Sequence, residues 1–311
     1  MKTQRTDLAM EVHELLKKKN KPMDGIISTE ETIGHSKVTT IKIENEQGET
    51  CAGKPQGTYY TLDIGQVWMD DAEDYREKVM ALKEIIARSI QKYPDTGCAF
   101  VAGLGNRAIT ADSVGPNAVS HIIVTRHIRE ARPELFTNLG FSEIAAISPG
   151  VLGETGIESA EVLSCIANRI KPKFLVVIDA LASRRISRLA TTIQISDSGI
   201  NPGSGVGNNR PAIDQKHLGL PVISIGVPTV VDAATLALDA METFNEKKGE
   251  NMDLPDYGEM KSLLDEDALN LFVTPKETDR IIDTVSTLIA YGLNLALHPG
   301  MDYDEMLALL A

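Results

Sequence analysis

The chain has 311 residues, with 31 Lys+Arg against 44 Asp+Glu, a formal net charge of −13. Its 42% hydrophobic and 24% charged composition is that of an ordinary globular protein with material for a sizeable core, which excludes a disordered chain. The acidic balance argues against direct nucleic-acid binding, because neutralising phosphates takes clustered Lys and Arg.

Residues 1–24 are polar, with a short amphipathic stretch at Leu8–Leu16 and no apolar run long enough for a signal peptide. No later run approaches the ~18 apolar residues of a membrane span. Cys51, Cys98 and Cys165 lie far apart with no CxxC pair, so neither a zinc ribbon nor a disulfide framework is expected. These features predict a soluble cytoplasmic protein. Residues 25–67 read as a β-rich elaboration with short strands at Val38–Ile43 and Tyr59–Ile64. Asp70-Asp71 then caps a helix to about Tyr93, in which Val79, Leu82, Ile86, Ile90 and Tyr93 recur at helical spacing.

From Cys98 onward strand, loop and helix alternate. Cys98–Ala102 is a short apolar run ending in Gly103-Leu104-Gly105, and a helix follows Pro116 with Val119, Ile122 and Ile123 inward. Residues 122–132 look helical and basic, and another helix lies within Ile157–Ile170. Phe174–Ile178 is an unalternated apolar run, the signature of a central parallel strand covered on both faces. Thr191–Ile195 and Pro221–Gly226 supply further strands, and Val231–Phe244 and Thr278–Leu297 further helices. This order predicts an α/β fold: a doubly wound, mostly parallel sheet with flanking helices. The charge gathers late. From Met241 on, 15 acidic residues stand against 5 basic ones, so −10 of the −13 lies in an acidic helical part, 241–311, read as a solvated face.

Open α/β sheets bind ligands beyond the carboxyl ends of their strands. Two loops at such positions carry an acid, Asp112 after Gly103–Gly105 and Asp179 directly after Phe174–Ile178. An acid at the rim of a crevice is partly desolvated, and a neighbouring carboxylate raises its pKa further. Each acid equally fits a helix cap, and the residues alone leave both readings open. Gly103-x-Gly105-x-x-Ala108 matches a permissive dinucleotide fingerprint, but no helix opens directly after it. Gly203-Ser204-Gly205-Val206-Gly207-Asn208 lacks the Lys-Ser/Thr of a P-loop. Six histidines form no HExxH, and no serine sits in a GxSxG elbow.

Several segments together resemble the spore germination protease family, endopeptidases that degrade small acid-soluble spore proteins. They are Arg5–Ala9, Gly105–Pro116, Thr125-Arg126-His127, Ala146–Val151 with Thr155–Glu158, Ile178–Ala182, Thr192–Asp197, Pro202–Asn208 and Gly226–Ala233. The resemblance runs from Arg5 to about Ala240 and is specific in combination. It implies a fold similar to hydrogenase maturation proteases and places that family's catalytic aspartates at Asp112 and Asp179. Either the two carboxylates share a proton and activate water, or they ligate a divalent cation whose water attacks. The metal-free mechanism is preferred, since two carboxylates make a thin cage and no His-rich ligand set accompanies them.

The resemblance further implies a zymogen that removes residues 1–7 by cutting between Asp7 and Leu8, with an acid before the bond and a hydrophobic residue and Ala after it. The alternative is that Thr6-Asp7 caps a helix. Residues 8–311 would then form one peptidase domain, assembled as a homotetramer and working in the spore core. Arg107 and Arg126 suit acidic substrate side chains, with Asn106 and His127 beside them. Gly203, Ser204 and Gly205 suit the close approach of a peptide backbone, unless that loop is simply a surface loop.

Overall fold

Ala99–Gly103 is buried at all five positions and Phe174–Ala182 at eight of nine, as befits strands with helices on both faces. Both lie inside a single sheet in a computed structural model that describes residues 6–18, 22–94, 96–203, 210–249 and 254–311. In chain order, helix α1 (Ala9–Lys18) precedes strands β1 (Ile26–Ile33) and β2 (Ser36–Ile43), a short helix α2 (Glu46–Ala52) and strand β3 (Gly57–Asp63). Helix α3 (Ala72–Ile90) starts where expected, with the Asp71 carboxylate accepting from the N–H groups of Glu73 and Asp74. Then come β4 (Ala99–Gly103), α4 (Val114–Ser120), α5 (Arg126–Ala131), α6 (Pro133–Leu139) and β5 (Ile144–Ile147). Helices α7 (Leu152–Thr155) and α8 (Ser159–Ile170) lead to β6 (Phe174–Ala182) and β7 (Thr192–Ser196). Helix α9 (Gln215–Leu218), strand β8 (Val222–Asp232) and helix α10 (Ala233–Lys248) follow. The chain closes with α11 (Tyr257–Leu263), α12 (Glu266–Leu269), β9 (Phe272–Val273), α13 (Thr278–Leu297) and α14 (Tyr303–Leu310). Among the described residues no helix is long and apolar enough to cross a membrane.

The sheet order is β1-β2-β3-β7-β8-β6-β4-β5, with β9 on the end of β8. Only β5, β4, β6 and β8 run parallel; every pairing from β1 to β3, through β7, to β8 is antiparallel, as is β8 with β9. The sheet is therefore mixed, which corrects the mostly parallel expectation. Nine residues separate β6 from β7, too few for the crossover of a dozen or more that a parallel strand needs. Strands β1–β3 continue this same sheet through the β3–β7 pairing.

Alternation sends successive side chains to opposite faces. On one face Val101, Val176, Ile178, Ile193, Ile195 and Ile225 pack against α3, α4 and α13 in the main core. On the other, Phe100, Ala102, Leu175, Val177 and Val222 pack with Leu163 of α8, while Ile41, Ile43 and Tyr59 pack with Ala9 of α1. Between those two apolar clusters this second face turns polar. Asp179, Gln194, Ser196 and Ser224 are all buried there. Burying such groups costs free energy unless they are hydrogen-bonded, so this stripe between α8 and α1 is where chemistry is to be sought.

Candidate active site

Asp179 lies inside β6 rather than just past it, six per cent exposed, with its Oδ1 accepting from the Ala180 N–H at 2.9 Å. The strand was expected to end at Ile178 but runs on to Ala182, because β8 continues to pair with it from Asp179 to Ala182. Asp112 closes a single 3₁₀ turn, Thr110–Asp112, in the loop after β4. That loop is drawn onto β6 by the Leu104 N–H, which donates to the Ile178 carbonyl at 2.8 Å. The Asp112 Oδ2 accepts from the Asn106 N–H at 2.7 Å, and Asn106 Oδ1 accepts from the Ala108 N–H at 2.8 Å. Gly105 makes this fold-back possible. Its φ is +113°, and a Cβ there would stand 1.8 Å from the Asp112 carbonyl oxygen. The glycines after β4 thus serve close backbone packing, and no helix opens until Val114, so the dinucleotide geometry is not formed.

The Asp112 charge reaches Asp179. Burial raises the Asp179 pKa well above the usual carboxylate range, and the charges of Asp112 and then Asp7 raise it further. The Ala180 N–H and the Arg210 guanidinium oppose this. Burial also raises the Asp112 carboxyl, against the Asn106 N–H and Arg210. Asp179, the more deeply buried, is the better proton holder. Neither acid acts as a helix cap: Asp112 binds Asn106, and α4 follows Ser113 with no side-chain cap.

The chain's own N-terminal segment runs into this site. The Asp7 N–H donates to the Ala182 carbonyl at 3.1 Å, and the Ala182 N–H donates to Asp7 Oδ2 at 2.9 Å. Leu8 is fully buried and Ala9 two per cent exposed. A cavity of ≈ 70 Å³ beside Asp7 is lined by Leu181, Gly226 and the loop residues Gly199, Ile200 and Asn201.

The other anticipated residues divide. Asn106 belongs to the site through its backbone, and Arg107 turns to α4, donating to the Pro116 carbonyl at 3.1 Å. Arg126 pairs with Glu130 at 2.5 Å and lies 3.7 Å from Glu143. It and His127 open α5, whose preceding Thr125 N–H donates to Ile144 at the amino end of β5. That is the opposite end of the parallel strands from Asp179, so these two are not brought to the pair. Gly203 sits in a turn at φ +73°, while Ser204 and Gly205 lie outside the described residues. Arg210, Lys54 and Gln194 join the site unannounced. Only Gln194 carried a signal, as the middle one of three polar residues alternating with Ile193 and Ile195 in the Thr192–Ser196 strand. Among the described residues no group of three or more His, Cys, Asp or Glu is placed to hold a metal ion.

Comparison with known proteins bears on this geometry. A family model described as Germination protease matches residues 3–262. A Germination protease of Caldanaerobacter subterraneus subsp. tengcongensis is 44% identical over 320 residues, 98% of each chain. One from Clostridium perfringens is 43% identical over 321 residues, 97% of each chain. One from Priestia megaterium is 36% identical, over 97% of this chain and 95% of its own.

Proposed function

From the premise that the chain belongs to the germination protease family, and so is an endopeptidase of spore germination, we propose that Asp112 and Asp179 are its catalytic pair. The observation that carries this is their convergence: the loop that carries Asp112 is hydrogen-bonded to β6 through Leu104 N–H and the Ile178 carbonyl, next to Asp179, and the Asp112 charge raises the buried Asp179 carboxyl. Asp112, the more accessible, takes a proton from water as the water oxygen bonds to the scissile carbonyl carbon. Asp179 gives its proton to the departing amide nitrogen as the C–N bond breaks. The products are a carboxylic acid and an amine, and a proton passing from Asp112 to Asp179 resets the pair.

The substrates in this reading are small acid-soluble spore proteins, cut after an acid and before a hydrophobic residue and Ala. The chain presents that pattern itself at Asp7-Leu8-Ala9, seated in the site, and self-cleavage after Asp7 would release residues 1–7. Support comes from the burial of Leu8 and Ala9 and from the Ala182 N–H on the Asp7 carboxylate. The likeness to hydrogenase maturation proteases, the single domain 8–311, a homotetramer and a place in the spore core complete the reading. An acidic surface would keep such an enzyme off the DNA its substrates bind.

The pair needs no resident metal in this mechanism. Turnover of a peptide containing Thr-Asp-Leu-Ala by purified protein should be unchanged after exhaustive chelation, with one cut, after Asp. Loss on chelation and recovery with a divalent ion would transfer the reading to a metal-bound water held by the same two carboxylates.

A further inference from the structure

The Asp7 carbonyl oxygen, the one belonging to the Asp7–Leu8 bond, is held from two sides. Lys54 Nζ donates to it at 3.1 Å and Gln194 Nε2 at 3.2 Å. The same Lys54 ammonium also reaches the Thr6 carbonyl at 3.2 Å. Gln194 turns its other atom to the far side of the bond, where Oε1 accepts from the Ala9 N–H at 2.7 Å. A carbonyl needs a donor and an N–H needs an acceptor, so these two contacts fix the orientation of the Gln194 amide. One side chain thereby spans the peptide unit on both sides of the Asp7–Leu8 bond.

The sheet explains how Gln194 comes to share a face with Asp179. Asp179 pairs with Gly226 on β8, and Gly226 pairs with Gln194 on β7. Directly paired residues on neighbouring strands point to the same face, so Asp179 and Gln194 flank one glycine. A Cβ at Gly226 would lie 2.3 Å from Leu181 Cδ1, so the Leu181 side chain packs directly over the glycine that separates them. The adjoining cavity has room for water.

We propose that Lys54 and Gln194 are the oxyanion-holding residues of this peptidase, and that Gln194 also sets the register of the substrate by accepting from the second N–H beyond the cut. The proposal rests on the reading that Asp7–Leu8 is a bond the aspartate pair cleaves. As water attacks, the Asp7 carbonyl oxygen gains negative charge. Two donors already aimed at it, one of them cationic and sunk beside the buried Glu11 and Asp7, strengthen as that charge develops. Burial lowers the Lys54 ammonium pKa, while Asp7 and Glu11 push back towards the charged form the role requires. External substrates of the pattern acid–hydrophobic–Ala would lie along the same three groups once residues 1–7 have left.

The test uses the full chain with Lys54→Met, Gln194→Glu and Asp112→Asn, and Lys261→Met on helix α11 as a control. Two quantities are followed: trimming between Asp7 and Leu8 by intact mass, and kcat and KM for a Thr-Asp-Leu-Ala peptide. Loss of a single oxyanion donor costs about 10²–10³ in kcat, and that loss is expected for both Lys54→Met and Gln194→Glu, with KM changed far less. Gln194→Glu keeps the acceptor and regains a donor only when the introduced carboxyl is protonated. Its activity relative to the parent should therefore climb as pH falls, which a merely structural role would not produce. Should Lys54→Met lose its cooperative melt, this pH profile and Lys54→Arg, which retains a donor and should keep partial activity, decide the matter. The proposal is overturned if Asp112→Asn is inactive while Lys54→Met and Gln194→Glu trim and turn over within twofold of the control. If Asp112→Asn itself trims normally, it is instead the aspartate reading that fails.

Discussion

Asp179 is placed against the ordinary preference of a carboxylate for water. Its raised pKa makes folding less favourable as pH climbs: stability is full below the ordinary carboxylate range and falls as pH rises towards the raised native value. Each pH unit across that window costs about 1.4 kcal/mol. Asp179→Asn should therefore melt at a higher temperature than the parent at pH 7, with the gain vanishing near pH 4; an equal or lower Tm at pH 7 would show that the carboxyl is not carrying this cost. The same directions shape activity. Asp112 must be ionised and Asp179 protonated, so kcat/KM should follow a bell whose acidic limb lies above the usual Asp range. The two aspartates were readable because each stands where an apolar strand or its glycine loop ends. Lys54, Arg210 and the Ala182 N–H were not, since their roles depend on which strands become neighbours. Arg126 and His127 misled for the converse reason: near to Asp112 in sequence, they open a helix at the other end of β5.

Among elements, α1 is the one whose attachment matters most. Glu11, fully buried, accepts from the N–H groups of Arg184 at 2.7 Å and Arg185 at 2.9 Å, from the Thr6 hydroxyl, and pairs with Arg188 at 3.1 Å. On its far side the same 183–188 loop is held by Asp239, which pairs with Arg185 and accepts from the Ile186 N–H at 2.9 Å. Removing one partner of a buried charged cluster costs about 3–5 kcal/mol. Glu11→Ala should lose stability on that order and speed amide exchange across Ala9–Lys18, with β4 and β6 still protected. Uniform exchange would deny α1 this anchoring. The loop carrying Asp112 has a comparable weak point. Gly105→Ala should abolish turnover while leaving cooperative unfolding in place, because the added methyl displaces the Asp112 backbone. Long amphipathic elements were legible: α13 spans Thr278–Leu297 as periodicity indicates, and α3 begins after its Asp71 cap. β1, whose Ile26–Ile33 run is almost wholly exposed, and the four-residue β5 offer no core pattern to find. Strand direction at β7 was open to reading from its short connection to β6, a signal outweighed by the alternation of strands and helices elsewhere.

At the scale of the molecule, the late acidic charge has more structure than a solvated face. Asp256, Asp265 and Asp302 cap α11, α12 and α14, while Glu242 and Glu246 pair with Arg184, Arg185 and Lys18. Within this region α13 buries thirteen residues, ten of them in the main core against α3 and α4. Burying each large apolar side chain contributes about 1.5–3 kcal/mol, so a chain ending at residue 270 should fail to fold, as judged by loss of its thermal transition. The whole fold thus backs one sheet face with a rigid helical layer and leaves the polar stripe of the other face for Asp112, Asp179 and the N-terminal segment. The most direct test of that arrangement is the intact mass of purified full-length Asp112→Asn and Asp179→Asn proteins beside the parent. The parent should lose residues 1–7 and begin at Leu8, and both variants should retain them, with peptide turnover reduced at least about 10²-fold. Trimming between Asp7 and Leu8 in either variant at the parent's rate would contradict the account.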